Sequence, residues 1–246
     1  MARKPRINEP GFYHIVNRGV NESVVFELKE DYHKFLELML KTTYDYKVKI
    51  HAFTILPTHY HILIETTQPN LSEAMRFLNS AYAAWYNFKS GRVGHLWKGR
   101  FESYMLFDEN HFWNIVKYIE RNALALNLVD DITKWDYQSL ALRLKKTKFF
   151  DIIRDSKILQ KPLEEYIEWL KKPLEKHELD EIYKEPKIVL VDGEYKVIRK
   201  KLSEFFDEYE DKKEAIKAAK ANGYKYSEIA RFLGVSNAYI SKLAKS

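Results

Sequence analysis

Four side chains have the types and spacing to hold a divalent cation beside a phenol. His59 and His61 sit two residues apart in PTHYHILIE, which runs from Pro57 to Glu65. Tyr118 and Asn122 sit four apart in YIERN. Residues two apart in a strand point to one face, so both imidazoles are offered to the same side, with Leu63 and Glu65 behind them. Two imidazoles are poor core filler, because each ring carries polar nitrogens that need partners. Together they supply two thirds of a facial metal site, and an amide oxygen completes a set suited to Mg2+ or Mn2+. Four residues apart on a helix, the phenol of Tyr118 stacks over the amide of Asn122, with His111 about two turns back. The spacing does not choose between this site and plainer structure. A His-x-His pair also occurs at surfaces or in hydrogen-bonded networks, and Tyr118 is equally consistent with a boundary aromatic whose hydroxyl meets water.

The elements that must position these groups follow from periodicity. Phe12–Asn17 alternates as a short strand closed by Arg18 and Gly19. From Asp31 to Tyr46 the apolar residues recur at helical spacing. Val48–Leu56 reads as a strand, Pro57 and Thr58 as a tight turn, and Tyr60–Thr66 as its hairpin partner. Asn70 caps a helix over Leu71–Lys89 that ends at Gly91. Arg100–Leu106 is a fourth strand. Asp108 caps a helix to Leu126 whose apolar face holds Phe112, Ile115, Val116, Ile119 and Ala123, and Asn127 suits a left-handed terminator. The order β-α-β-β-α-β-α predicts an α+β fold: a ferredoxin-like, four-stranded antiparallel sheet with helices packed on it. That fold alone implies no function.

Composition narrows the classes. Across 246 residues, 46% are apolar and 15% aromatic, enough for a real core. No apolar run is long enough to span a membrane, and the basic N-terminus leads into no signal-peptide core. The absence of cysteine excludes disulfides, thiolate metal sites and a thiol nucleophile, and fits a cytoplasmic protein. The net charge is only +6, but residues 211–246 carry 8 basic side chains against 3 acidic ones. A basic tail points to a polyanion, most often nucleic acid.

Within that tail, Asp211–Asn222 reads as a helix ended by Gly223. Ser227 caps a helix carrying Ile229, Ala230, Phe232 and Leu233. Gly234 makes a turn, and Ser236 caps a second helix with Tyr239, Ile240 and Leu243 inward. Two short capped helices across a glycine turn form the helix-turn-helix pattern, although an ordinary α-hairpin gives the same signal. Ser236, Asn237, Tyr239 and Lys242, at the start of the second helix, are its expected DNA contacts. The chain therefore divides into 1–145, a charged helical connector over 146–201 with scattered prolines, and 202–246.

His59-Tyr60-His61 resembles the His-hydrophobe-His motif of the HUH single-strand endonucleases. Tyr118-Ile119-Glu120-Arg121-Asn122 resembles the Tyr-x-x-x-Asn of the REP-associated tyrosine transposases, relatives of the small insertion-sequence transposases. GHLWKGRFES (94–103), HAFTILPTHYHILIE (51–65) and VNRG (16–19) are similar to further segments of that family, in order, over roughly residues 10–140. The sequence departs from the family at Ala123 and Ala125, where Pro and Arg are usual, at Asn127 in place of Gly, and at Lys98 and Glu102 in place of Gln and Lys. These changes fall where strand choice and DNA contacts would be set.

The resemblance implies metal-dependent cleavage and rejoining of single-stranded DNA, with a hairpin as the expected form. Tyr118 would be the nucleophile, left as a 5′-phosphotyrosine with a free 3′-hydroxyl. His59, His61 and Asn122 would hold Mg2+ or Mn2+. A phenol ionises at about 10 and needs activation; the sequence names no base for it, and His111 fits that role or, more simply, a plain surface position on the helix. Lys89, Arg92, Lys98 and Arg100 lie in a stretch without acids, interleaved with Trp97 and Phe101. With Arg18 they form the expected single-strand contacts, cations on phosphates and aromatics on bases. Trp97 and Phe101 also fit core packing at a strand start. The N-terminal arm of Arg3, Lys4 and Arg6 could add a contact. Two other classes fit the same outline: a transposase-derived regulator that binds DNA without cutting, and an RNA-binding module.

Overall fold

The computed structural model describes residues 7–183, 187–191, 194–198, 200–222 and 224–245. The arm of Arg3, Lys4 and Arg6, and the helix terminator Gly223, lie outside the described residues. Those up to 183 form one compact unit and those from 187 onward a second.

The first unit is built on strands β1 (Gly11–Arg18), β2 (Lys49–Leu56), β3 (His59–Thr66) and β4 (Glu102–Met105). They form one sheet in the order β2-β3-β1-β4, with every neighbouring pair antiparallel. This is the split β-α-β order expected of a ferredoxin-like sheet. Helices α1 (Lys29–Tyr46) and α2 (Leu71–Ser90) cover one face, and α3 (Glu109–Ala125) the other. Strand alternation sorts the residues. Tyr60 packs against Phe35 of α1, with ring centroids 4.8 Å apart. Phe12 meets Phe112 of α3 edge-on at 5.4 Å.

Helix ends follow sequence chemistry with two exceptions. Asp108 caps α3 by accepting from the His111 N–H at 2.8 Å. Gly91 takes the left-handed conformation after α2, and Asn127 adopts the left-handed φ of 55°. Asn70, by contrast, makes no side-chain cap, because its amide donates to the Tyr46 carbonyl at 2.7 Å instead. The other exception, Ser227, lies in the second unit. One irregularity breaks the β2–β3 ladder, a register shift between Ile50 and Ala52. The bulge buries His51, which shares a 3.0 Å contact with Glu65 and accepts from the Lys157 N–H at 3.1 Å.

Residues 126–183 add α4 (Ser139–Lys145), α5 (Leu163–Lys171) and α6 (Lys176–Glu181). This segment closes the open edge of β2: the Ile55 N–H donates to the Tyr137 carbonyl at 2.8 Å, and Thr54 bridges to Gln138. It is anchored on α3 by Glu120, fully buried, which accepts from Ser139 Oγ at 2.6 Å, Tyr166 OH at 3.1 Å and the Leu140 N–H at 3.2 Å. Among the described residues no helix is long and apolar enough to cross a membrane.

The second unit contains an antiparallel pair, β5 (Lys187–Val191) and β6 (Glu194–Ile198), which periodicity did not single out. Four helices follow: α7 (Leu202–Glu208), α8 (Lys212–Ala221), α9 (Tyr226–Leu233) and α10 (Asn237–Lys245). Their core is Phe205, Ile216, Ala219, Ile229, Ala230 and Ile240. Gly234 ends α9 with φ 66°. Ser236 accepts from the Tyr239 N–H at 3.2 Å, as an N-cap should. Ser227 is not a cap: α9 begins one residue earlier, and the Lys225 N–H is satisfied by Glu228 at 2.8 Å. Tyr239 is not inward either. It is 54% exposed, and Ile240 alone of that pair is buried.

Candidate active site

The hairpin and α3 bring the sequence-distant groups to one patch. His59 opens β3 and His61 follows on the same face, with ring centroids 5.2 Å apart and planes at 81°. Tyr118 stands edge-on to His61 at 5.4 Å and 89°. Asn122 lies one turn further along α3 and is buried, with no side-chain hydrogen bond among the described residues. Across the sheet, Arg18 is the register partner of His59.

Each histidine of the pair has one ring nitrogen already engaged. His59 Nδ1 and Thr58 Oγ1 are 2.9 Å apart. His61 Nδ1 and His14 Nε2 share a buried 2.9 Å hydrogen bond, and the two rings stack with centroids 5.2 Å apart. When Nδ1 donates, Nε2 keeps its lone pair, the arrangement metal-binding imidazoles use. Burial also holds these rings neutral. It lowers the pKa of His59 to about 4, with the Arg18 charge adding to the effect. His61 lies well below its ordinary value, first through burial and then through His14, His59 and Arg18. Burial lowers His14 to about 3.

Among the described residues no three His, Asp or Glu side chains are arranged to hold a metal. The expected donor set is of another kind, two neutral imidazoles and the amide of the buried Asn122. That chemistry fits a divalent cation accepting mixed nitrogen and oxygen ligands, with positions left for substrate oxygen.

Tyr118 is half-buried, and its hydroxyl lies 2.7 Å from that of Tyr183, at the end of the segment following α6. Tyr183 also packs over His14, at 5.6 Å, and Tyr104, at 5.2 Å. Burial, followed by the bond to Tyr118, raises the Tyr183 pKa. His14 and Tyr183 were missed by sequence reasoning. His14 shares the strand face of Phe12 and Val16, but its meeting with His61 needs the β1–β3 register. Tyr183 had no local signal.

Other expected contacts divide. Arg18, Lys98 and Arg100 are exposed and Arg92 is half-buried, and none of the four makes an ion pair among the described residues. Lys89 pairs with Asp31 at 2.5 Å and Glu30 at 3.3 Å, so two carboxylates already answer its charge. Trp97 takes the core-packing position. It is only 9% exposed, its Nε1 donates to the Asn79 carbonyl at 3.0 Å, and its ring packs against Tyr60, Tyr82 and Phe26. Phe101 is buried as well. His111 is buried rather than on the helix surface, and its Nδ1 accepts from the Phe107 N–H at 3.4 Å. In the second unit Ser236, Asn237, Tyr239 and Lys242 are all exposed.

Comparison with known proteins adds the following. Residues 11–122 match the family model described as transposase, IS200 like. Among solved structures, the chain is similar to a REP-associated tyrosine transposase bound to a REP hairpin, at 20% identity and TM-score 0.48, over 56% of this chain and 82% of that one. It is also similar to a transposase-like protein from Deinococcus radiodurans R1, at 17% identity and TM-score 0.35, over 49% of this chain and 97% of that one. No curated protein matches it.

Proposed function

We propose, from the match of residues 11–122 to the IS200-like transposase model, that the protein cuts and rejoins single-stranded DNA, with a hairpin as its substrate, through Tyr118. The observation that carries this reading is the convergence of Tyr118 with His59 and His61. These groups are far apart in sequence, yet the Tyr118 ring lies 5.4 Å from that of His61.

In the proposed reaction the Tyr118 oxygen attacks the scissile phosphorus while the bond to the 3′ oxygen breaks. The products are a 5′-phosphotyrosine and a free 3′-hydroxyl. Phosphodiester energy is conserved, so a second 3′-hydroxyl can reverse the step without ATP. His59 and His61, with Asn122, would hold Mg2+ or Mn2+, which when bound polarises a phosphate oxygen. His14 orients His61 through their shared hydrogen bond. Tyr183 orients the Tyr118 hydroxyl; its own raised pKa suits a hydrogen-bond partner better than a base. Arg18, beside His59, adds positive charge for the phosphate.

Domain roles follow the same proposal. Residues 1–145 carry the nuclease chemistry, braced by the segment that follows. Residues 202–246 serve as a helix-turn-helix that adds duplex affinity. Support comes from the left-handed turn at Gly234, the small Ala230 in the core of the helices it joins, and the exposed Asn237, Tyr239 and Lys242. The test is incubation with end-labelled hairpin DNA and Mn2+, followed by denaturing electrophoresis. A labelled band at the protein's mass supports the reading, and its absence under all divalent cations refutes it.

A further inference from the structure

Outside the histidine–tyrosine patch, a cavity of about 780 Å3 opens between α2 and the loop 94–101 of the first unit. Met75, Ala83, Leu96, Trp97 and Phe101 make its lining mainly apolar. Two of its lining residues, Asn17 and Asn79, have their polar groups answered: Asn17 and the neighbouring Tyr60 both donate to Asn79 Oδ1 at 2.9 Å, and the Asn79 amide donates to the Met75 carbonyl at 2.7 Å. The volume lies in the range of sites that take small organic groups.

The rim is cationic. Arg76, Lys98 and Arg100 line the mouth, and none has an ion pair among the described residues. Glu73 is the one acid of the lining. Gly99 stands between two of these cations, and a Cβ added there would meet no atom within 4 Å. The backbone is therefore open to a ligand at that point.

The loop is also fixed to the candidate active site. The Lys98 N–H donates to the Arg18 carbonyl at 2.8 Å, and the Val20 N–H to the Leu96 carbonyl at 2.9 Å. Arg18 is in turn the cross-strand partner of His59. Asn17, which lines the cavity, precedes Arg18 at the end of β1, so a strand held at His59 would reach the cavity by rounding that end.

We propose that the cavity receives one unpaired base of the bound DNA strand, with Arg76, Lys98 and Arg100 on the phosphates that flank it. The proposal rests on the single-strand DNA reading above. An apolar slot takes a flat heterocycle, and a rim of unpaired cations selects a polyanion over a neutral or acidic peptide. The buried wall of Trp97 then acts from the side of the slot rather than as an exposed platform.

The experiment is a scan of single-stranded oligonucleotides, each lacking one base, bound by the full-length protein and read by fluorescence anisotropy. Base stacking predicts that one abasic position weakens binding about fivefold to a hundredfold, while the others change little. Ser80→Trp fills the slot from an exposed position on α2, where the Ser80 hydroxyl bonds only to its own helix. This variant should flatten the scan and still form the covalent adduct at saturating DNA. Arg76→Glu, also exposed, should weaken all oligonucleotides together and keep the positional minimum. Thermal melting verifies that each variant is folded.

A flat scan for the wild type, or an unchanged scan for Ser80→Trp, overturns the proposal while adduct formation leaves the nuclease reading intact. A sharp scan without any adduct has the opposite meaning, a base slot in a protein that does not cut. Tighter binding to the ribo-oligonucleotide of the same sequence overturns DNA as the occupant.

Discussion

Glu120 lies on α3 between Tyr118 and Asn122, so whatever fixes its carboxyl helps fix the helix that carries both. It is fully buried, and burial pushes its pKa up to about 7, against the opposing pull of donors from Ser139, Leu140 and Tyr166. Unfolded, the carboxyl has its ordinary value of 4.5. Above pH 4.5 the native state therefore holds a proton that the unfolded chain has released, and stability falls as pH rises, levelling off above about pH 7. Between pH 5 and pH 8 this amounts to about 2–3 kcal/mol of unfolding free energy. The buried histidines His14, His59 and His61 titrate in the opposite sense, since their folded values are lowered and their contribution disappears as pH falls. Glu120→Gln separates the two effects, because it removes the carboxyl and leaves the histidines. The amide keeps the volume and can donate to Ser139 Oγ, whose proton then turns to the Phe53 carbonyl at 3.3 Å. The assay is urea unfolding followed by tryptophan fluorescence. All five tryptophans lie before residue 170, so the signal reports the first unit. The difference in stability between wild type and Glu120→Gln should shift by about 2–3 kcal/mol from pH 5 to pH 8, in favour of the variant at high pH. Parallel pH curves would refute the claim that Glu120 is held protonated.

Two further perturbations bear on the site and on the tail. His59→Ala and His61→Ala should each abolish adduct formation and leave DNA affinity largely intact; His61→Ala, which breaks the buried bond to His14, should also lower stability by about 1–3 kcal/mol. Adduct at the wild-type rate in Mg2+ or Mn2+ would remove the pair from the reaction. Deleting residues 202–246 takes away the whole helical core of the second unit, and should weaken duplex binding and flatten its salt dependence. The log–log slope should fall by about 0.9 for each phosphate that the tail neutralises. An unchanged slope, measured by titration at several salt concentrations, would count against the tail as a DNA reader.

Local chemistry was legible in the sequence, and long-range pairing was not. Alternation placed His59 and His61 on one face, and the helical stripe placed Tyr118 beside Asn122, because both follow from the period of a single element. Strand order followed from the succession of elements. The bond between His14 and His61 depends on the β1–β3 register, which no single strand encodes. Lys89 reads as a free cation until α1 and α2 pack and bring Asp31 to it. Trp97 lies in a stretch rich in cations, so its burial beneath Tyr60 and Tyr82 was one of two open readings. The packing of residues 146–183 on α3 was hidden by their charge, since it runs through Tyr166 on Glu120, Trp169 on Trp113 and Lys117, and the Leu170 carbonyl on Arg121. Tyr183 meets Tyr118 from 65 residues away and carries no motif.

The central claim is that Tyr118 forms the covalent bond to DNA. Adduct made with hairpin DNA and Mn2+ is digested with protease, and the modified peptide is sequenced by mass spectrometry beside a Tyr118→Phe sample. The account predicts a phosphotyrosyl nucleotide on Tyr118 alone among the 17 tyrosines, and none in the variant at any pH or with any metal. The variant keeps the ring and loses only the hydroxyl that bonds to Tyr183. A nucleotide on another tyrosine, or adduct from Tyr118→Phe, would contradict the assignment, and no adduct from the wild type would leave a DNA-binding regulator as the better reading.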